Sequence, residues 1–259
     1  MNLIFNLLAI IPLLCFSQNY NGPESVEYNS LSDSYFISNS NNGQILELID
    51  DNNTSVFANN LINGPHGLEM VGNTLYACSG SRIKAFNIET GEQILNFNIG
   101  ANFLNGITHK FDGSNSLLFI TDFSAGKLYE FNINTQEITE LCSFDKNPNG
   151  IIYESNMNRL IIVSWGNNAK IYEFSLNDYS LSTLLTTSLG YLDGISIDQC
   201  GNFIISSWST NSIHTFRNNF PEDQTNGFNI ITSNLNNPAD IFYNQLNNIL
   251  AIPNSGNNT

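Results

Sequence analysis

The chain has 259 residues, 41% hydrophobic and 12% aromatic, which is enough apolar material for a substantial buried core. Eight Lys and Arg stand against 23 Asp and Glu, for a formal charge of −15. That balance argues against nucleic acid and anionic membrane as partners, because both are bound through basic patches.

The chain opens on an apolar stretch, residues 3–16, that is too short to span a bilayer and ends beside a small residue, Ser17. It reads as a secretory signal peptide over residues 1–17, cleaved near Ser17-Gln18. No other stretch reaches the length of a transmembrane helix. The expectation is a monomer without a membrane span that is secreted, periplasmic or displayed at the cell surface. Loss of Cys15 leaves Cys78, Cys142 and Cys200, an odd number with no Cys-x-x-Cys spacing. Neither a disulfide framework nor a zinc site is indicated, and Cys78 and Cys142 read as buried thiols.

From Gly22 onward the sequence repeats. Units begin near residues 22, 64, 103, 147, 191 and 237, and a single domain is expected over residues 18–259. Their openings are Gly22-Pro23-Glu24-Ser25-Val26, Gly64-Pro65-His66-Gly67-Leu68, Phe103-Leu104-Asn105-Gly106-Ile107, Asn147-Pro148-Asn149-Gly150-Ile151, Tyr191-Leu192-Asp193-Gly194-Ile195 and Asn237-Pro238-Ala239-Asp240-Ile241. The residue at the third place recurs every 39 to 46 positions: Glu24, His66, Asn105, Asn149, Asp193 and Ala239.

Within each unit the opening strand is followed by a polar turn and a second apolar strand, such as Ile161-Ile162-Val163. A third strand alternates apolar and polar residues, as in Lys170-Ile171-Tyr172-Glu173-Phe174, and a weaker fourth follows. Four short antiparallel strands repeated radially give an all-β, six-bladed β-propeller with four-stranded blades. The strand that opens each unit is expected innermost, with its first residues at the mouth of a central channel. The sixth unit reaches Thr259 after two strands, so its blade is expected to be incomplete and the sequence to continue further.

Such a ring brings the six opening residues around one axis. Glu24 and Asp193 offer carboxylates and Asn105 and Asn149 offer amide carbonyls, the hard oxygen donors that Ca²⁺ or Mg²⁺ takes. The alternative for the same residues is a polar ring solvating a water-filled channel. His66 could serve as a base or position a substrate, because a free imidazole titrates near neutrality; hydrogen bonding at the rim is the alternative. Trp165 and Trp208 end the second strands of blades four and five, and Phe123 stands close to the same place in blade three. The two tryptophans either wall a pocket for a small-molecule or carbohydrate-like ligand or pack between blades.

On these residues the chain resembles the SMP-30/gluconolactonase/LRE family of six-bladed propellers. Glu24 in Pro23-Glu24-Ser25-Val26 matches the family's glutamate near the N-terminus, Asn149-Gly150 its Asn-Gly opening, and Asp193-Gly194 its Asp-Gly opening. Asn105-Gly106 matches an asparagine near the substrate. The resemblance implies that Glu24, Asn149 and Asp193 hold a divalent cation, Ca²⁺ first and Mg²⁺, Mn²⁺ or Zn²⁺ as alternatives. It further implies that Asp193 is the general base, that Asn105 contacts substrate, and that the reaction is lactone or ester hydrolysis. Phe103 stands where family lactonases place an arginine that holds a sugar-acid carboxylate. The units are equally similar to NHL-type repeats, which implies the rival reading of a non-catalytic extracellular binding propeller.

Overall fold

The structure, a computed structural model, describes residues 20–50, 53–111, 113 and 116–259. The signal-peptide reading of residues 1–17 lies outside them. Five four-stranded antiparallel sheets and one two-stranded sheet stand around a common axis, each in simple chain order from the axis outward. Sheet one comprises Pro23–Asn29, Ser34–Asn39, Gln44–Asp50 and Asn53–Ala58. The innermost strands of sheets two to five are Leu68–Val71, Leu104–Phe111, Pro148–Glu154 and Leu192–Ile197. The sixth sheet is a hairpin of Phe242–Asn244 and Ile249–Ala251. Four strands per unit are therefore found in five units, and the sixth contributes two. Among the described residues the only helical element is a single 3₁₀ turn, Glu222–Gln224, and no helix is long and apolar enough to cross a membrane.

Local chemistry accounts for the strands. In sheet four the second strand, Arg159–Ser164, is buried along its whole length, as its unbroken Leu-Ile-Ile-Val run requires. The third, Lys170–Ser175, buries Ile171, Tyr172 and Phe174 and leaves its other residues half-buried, and the outermost, Ser180–Thr186, is mostly exposed. Asn158 closes the first hairpin at φ 51°, a left-handed turn conformation that asparagine tolerates.

The core is a set of wedges between neighbouring sheets. Ile161, Val163 and Ile171 of sheet four pack on Ile195, Phe203 and Ile205 of sheet five. Phe119 and Leu128 of sheet three pack on Ile151, Leu160 and Ile162 of sheet four. Cys78 is buried in one such wedge, whereas Cys142 is only half-buried and Cys200 is exposed; all three are free thiols.

Near the axis the inner strands meet backbone to backbone. The Gly67 N–H donates to the Asn105 carbonyl at 3.0 Å, and the Asp240 N–H donates to the Glu24 carbonyl at 2.8 Å. Thr121 Oγ1 accepts the Gly106 N–H and donates to the Asn149 carbonyl, both at 2.8 Å. Ser206 repeats the bridge from the Gly194 N–H at 2.7 Å to the Ala239 carbonyl at 2.8 Å. The two-stranded sheet sits between sheets five and one, because Tyr243 N–H donates to Ser196 Oγ and Asn244 Nδ2 to the Tyr35 hydroxyl. Two residues after each opening position stand Val26, Leu68, Ile107, Ile151, Ile195 and Ile241, all buried. These aliphatic residues border a cavity of about 380 Å³ that also holds Glu27, Glu69 and His109.

Candidate functional site

Each opening residue is fixed by the backbone that follows it. A Cβ on Gly150 would lie 2.2 Å from the Asp193 carbonyl oxygen, so only glycine lets sheet five approach this closely. That contact brings Asn149 and Asp193 side by side. Both are buried, with Asn149 Nδ2 donating to the Leu192 carbonyl at 3.3 Å. Asn149 Oδ1 and Asp193 Oδ1 are buried and accept no hydrogen bond. Buried oxygens normally find a donor; the indole Nε1 of Trp208, which acts on the Asp193 carboxyl as a hydrogen-bond donor would, is itself buried without a partner within hydrogen-bond distance.

Electrostatics identify the same place. Burial pushes the Asp193 carboxyl well above the usual carboxylate range, and the charges of Glu24 and Asp240 push it further; Trp208 and Asn149, beside it, pull the other way. Burial, then the Asp240 charge, raises Glu24 to about 7. Burial likewise raises Asp240 to about 7, against the hydrogen bond donated by Ser25 Oγ at 2.9 Å. Asp240 occupies the place that Ser25 and four glycines fill in the other openings. Asp240 thus acts on Glu24, both act on Asp193, and Glu69 acts on Asp240, and none of these shifts includes a basic side chain among its causes.

The donor set fits a hard divalent cation in chemistry: carboxylates from Glu24 and Asp193 and the orphaned amide oxygen of Asn149. Among the described residues no three His, Cys, Asp or Glu side chains group closely enough to hold an ion by themselves.

His66 stands half-buried at the second opening with its Nδ1 lacking a partner and its ring 4.5 Å from that of Phe103. Burial lowers it to about 4, so it is neutral at physiological pH and no carboxylate orients it. Asn105 is buried at its opening, its carbonyl taken by Gly67. His109 pairs with Glu69 through Nδ1, and His214 bonds Thr210 and the Asn226 carbonyl, so both are held within the fold.

Trp165 and Trp208 meet edge to face, 4.9 Å between centroids. Phe123, Trp165 and Trp208 are equivalent: each backbone N–H donates to the residue that begins an opening, Phe103, Asn147 and Tyr191 respectively. Phe103 and Tyr191 extend the same wall, with Phe103–Phe123 at 5.8 Å, Phe123–Trp165 at 6.0 Å and Trp165–Tyr191 at 5.0 Å. Asp122 holds the loop that carries Phe103, its carboxylate accepting the N–H groups of Asn102, Phe103 and Ala125. The sequence pattern points to the two tryptophans. Phe103 is marked in the sequence only as standing where an arginine is expected, and Tyr191 only as the first residue of an opening; that both join the wall emerges from the fold.

No protein-family model matches the sequence, and no curated protein matches it. Solved structures do resemble the fold. A gluconolactonase from Xanthomonas campestris superposes with a TM-score of 0.71 at 14% identity, covering 90% of this chain and 83% of that one. An auxiliary nutrient binding protein from Bacteroides thetaiotaomicron gives 0.70 at 10% identity, covering 92% and 68%. Virginiamycin B lyase from Staphylococcus aureus gives 0.65 at 14% identity, covering 90% and 84%. At these identities the likeness establishes the propeller fold alone.

Proposed function

We propose that this chain is an exported, monomeric six-bladed propeller whose channel mouth binds a divalent cation, Ca²⁺ first, and that it hydrolyses a lactone or ester there. The observation that supports the reading most directly is the pair of orphaned buried oxygens, Asn149 Oδ1 and Asp193 Oδ1, set among mutually repelling carboxyls. Glu24, Asn149 and Asp193 would hold the ion, which would supply charge stabilisation at the oxygen of a scissile carbonyl. Asp193 would orient water and accept its proton. Neutral His66 and buried Asn105 would position substrate, His66 as a hydrogen-bond partner rather than a proton store. The likeness to the gluconolactonase is an analogy of fold in favour of this reading.

The rival is a binding propeller without chemistry, for which the nutrient-binding neighbour is the corresponding analogy. Calorimetric titration of Ca²⁺ into wild type and Asp193→Ala, followed by a panel of lactones and esters with the Ca²⁺-loaded protein, separates the two. The hydrolase reading expects saturable binding that Asp193→Ala abolishes, together with turnover that stops on chelation. Binding without turnover of any panel member favours the rival. Binding untouched by Asp193→Ala removes the proposed site.

A further inference from the structure

The cavity of about 380 Å³ lies along the axis beyond the mouth, between the buried aliphatic collar and the far end of the inner strands. Three residues after each opening position stand Glu27, Glu69, Thr108, Ile152, Ser196 and Phe242, and all six line it. At this level the fold asks little of a polar side chain. Thr108 Oγ1 accepts the Tyr153 N–H of the next sheet at 3.3 Å, and Ser196 Oγ the Tyr243 N–H at 3.2 Å. Glu27 Oε1 does the same for the Met70 N–H at 3.3 Å. A hydroxyl is enough for that bond, so the carboxyls of Glu27 and Glu69 carry oxygens that the packing does not use. We propose that this end of the channel is a second binding site, which takes a small organic ammonium ion with its head on Glu27 and Glu69 and its apolar body on the collar. The inference does not rest on the reading of the mouth.

Three observations select this class. First, Glu27 is 9% exposed and lines the cavity, and its Oε2 has no hydrogen-bond donor among the described residues. Glu69 gives one oxygen to His109 Nδ1 at 2.5 Å and leaves the other open. The complement to such free acceptors is a ligand that brings N–H donors and positive charge. Second, the basic groups on the lining do not supply that charge. His109 is paired with Glu69, and Lys110 donates to Asn158 Oδ1 at 2.8 Å over the Tyr153 ring. Asp240, the remaining carboxyl on the lining, is held by Ser25 Oγ at 2.9 Å. Burial raises both free carboxyls, and the Glu69 charge raises Glu27 further, as befits a pair with no cation between them. Third, a bare divalent ion finds too few ligands here. Among the described residues no three His, Cys, Asp or Glu group closely enough, and the hydroxyl oxygens of Thr108 and Ser196 already accept N–H groups. An ammonium head needs only the carboxylate oxygens, and the six aliphatic side chains of the collar suit a short hydrocarbon body.

Calorimetric titration of wild type with n-butylammonium, 1-butanol and butyrate at neutral pH tests the site, in Ca²⁺ and separately in chelator. Saturable binding of n-butylammonium is expected, with the same affinity in both conditions. Binding of 1-butanol should be weaker by about tenfold or more, and butyrate should not bind. Glu27→Gln keeps an acceptor for the Met70 N–H, so the melting temperature should hold while n-butylammonium binding weakens about tenfold, the loss of one charged hydrogen bond. Glu69→Gln should weaken it likewise. The chain's three histidines report the location without any substitution. On titration the NMR ring signals of His109, paired with Glu69, should move, and those of His66, at the mouth, should not. No saturation with n-butylammonium, equal affinity for 1-butanol, or an affinity untouched by both glutamine variants would each overturn the inference. So would competition by Ca²⁺ with movement of His66 alone, which would put the ammonium among the mouth carboxyls. Binding of n-butylammonium in chelator with movement of His109 supports the site even if Ca²⁺ binding and turnover fail. Ca²⁺-dependent turnover without n-butylammonium binding leaves the hydrolase reading standing and removes this one.

Discussion

A methyl group at residue 150 would lie 2.2 Å from the Asp193 carbonyl oxygen, and one at residue 106 would lie 2.4 Å from that of Asn149. Gly150→Ala should therefore destabilise the fold by about 3 kcal/mol, since neither backbone can move without displacing its sheet. Gly190→Ala makes a control: its nearest neighbour would be Ser209 Cβ at 3.4 Å, and a change within about 0.5 kcal/mol is expected. Urea denaturation measures both, with a shifted midpoint at unchanged slope as the sign of a pure stability effect. At this scale the Asn-Gly and Asp-Gly openings were legible because they recur in register. Tyr191 was not, because nothing in a tyrosine's neighbours announces a positive φ; Phe103 and Phe123 stand out in the sequence, the one where an arginine is expected and the other near the place of the tryptophans, but their contact with each other comes from the fold. Asp240 was visible in the sequence, yet its weight comes from Ser25 and Glu24 reaching it across the ring closure.

The strands show what alternation can and cannot reveal. The third strand Lys170–Ser175 sets Ile171 on the wedge with sheet five and Tyr172 and Phe174 on the wedge with sheet three, so both of its faces bury apolar side chains. The outer strand Ser180–Thr186 sends Leu181, Leu184 and Leu185 to the wedges while its other residues face solvent, so its apolar positions do not alternate cleanly. Sheet four also carries a buried ion network that sequence could not assemble. Arg159 Nε donates to Glu154 Oε2 at 2.6 Å and Nη1 to Glu173 Oε2 at 2.5 Å, and Nη2 reaches Asn218 in the turn that follows Ser212–Phe216 of sheet five. Arg159→Met should cost about 3 to 5 kcal/mol, because it strands the buried Glu154 carboxylate. Thermal melts check the direction. Glu173→Gln, at a more exposed partner, should cost about 1 kcal/mol or less.

At the scale of the whole molecule, a chain with a formal charge of −15 buries three carboxyls together at one end of its axis. Glu24 and Asp240 stand at about 7, above their usual range near 4. Between roughly pH 4 and 7 the folded chain then holds protons that the unfolded chain has released, so stability falls as pH rises through that window. In chelator, the melting temperature should be lower at about pH 8 than at about pH 5, and the gain on adding Ca²⁺ should grow with pH. Glu27 and Glu69, shifted by burial in the same direction, add to this fall, whereas His66, lowered by burial to about 4, opposes it below about pH 6.5. The propeller architecture was legible from the period of the openings, whereas the assembly of Asp193, Glu24 and Asp240 at one place depends on ring closure. The most direct test of the mouth as a cation site is calorimetric titration of Ca²⁺ at about pH 6.5 in two buffers of different ionisation enthalpy. The account predicts saturable binding whose heat differs between buffers, because the ion displaces protons from the buried carboxyls. Absence of binding, or binding with the same heat in both buffers, would contradict it.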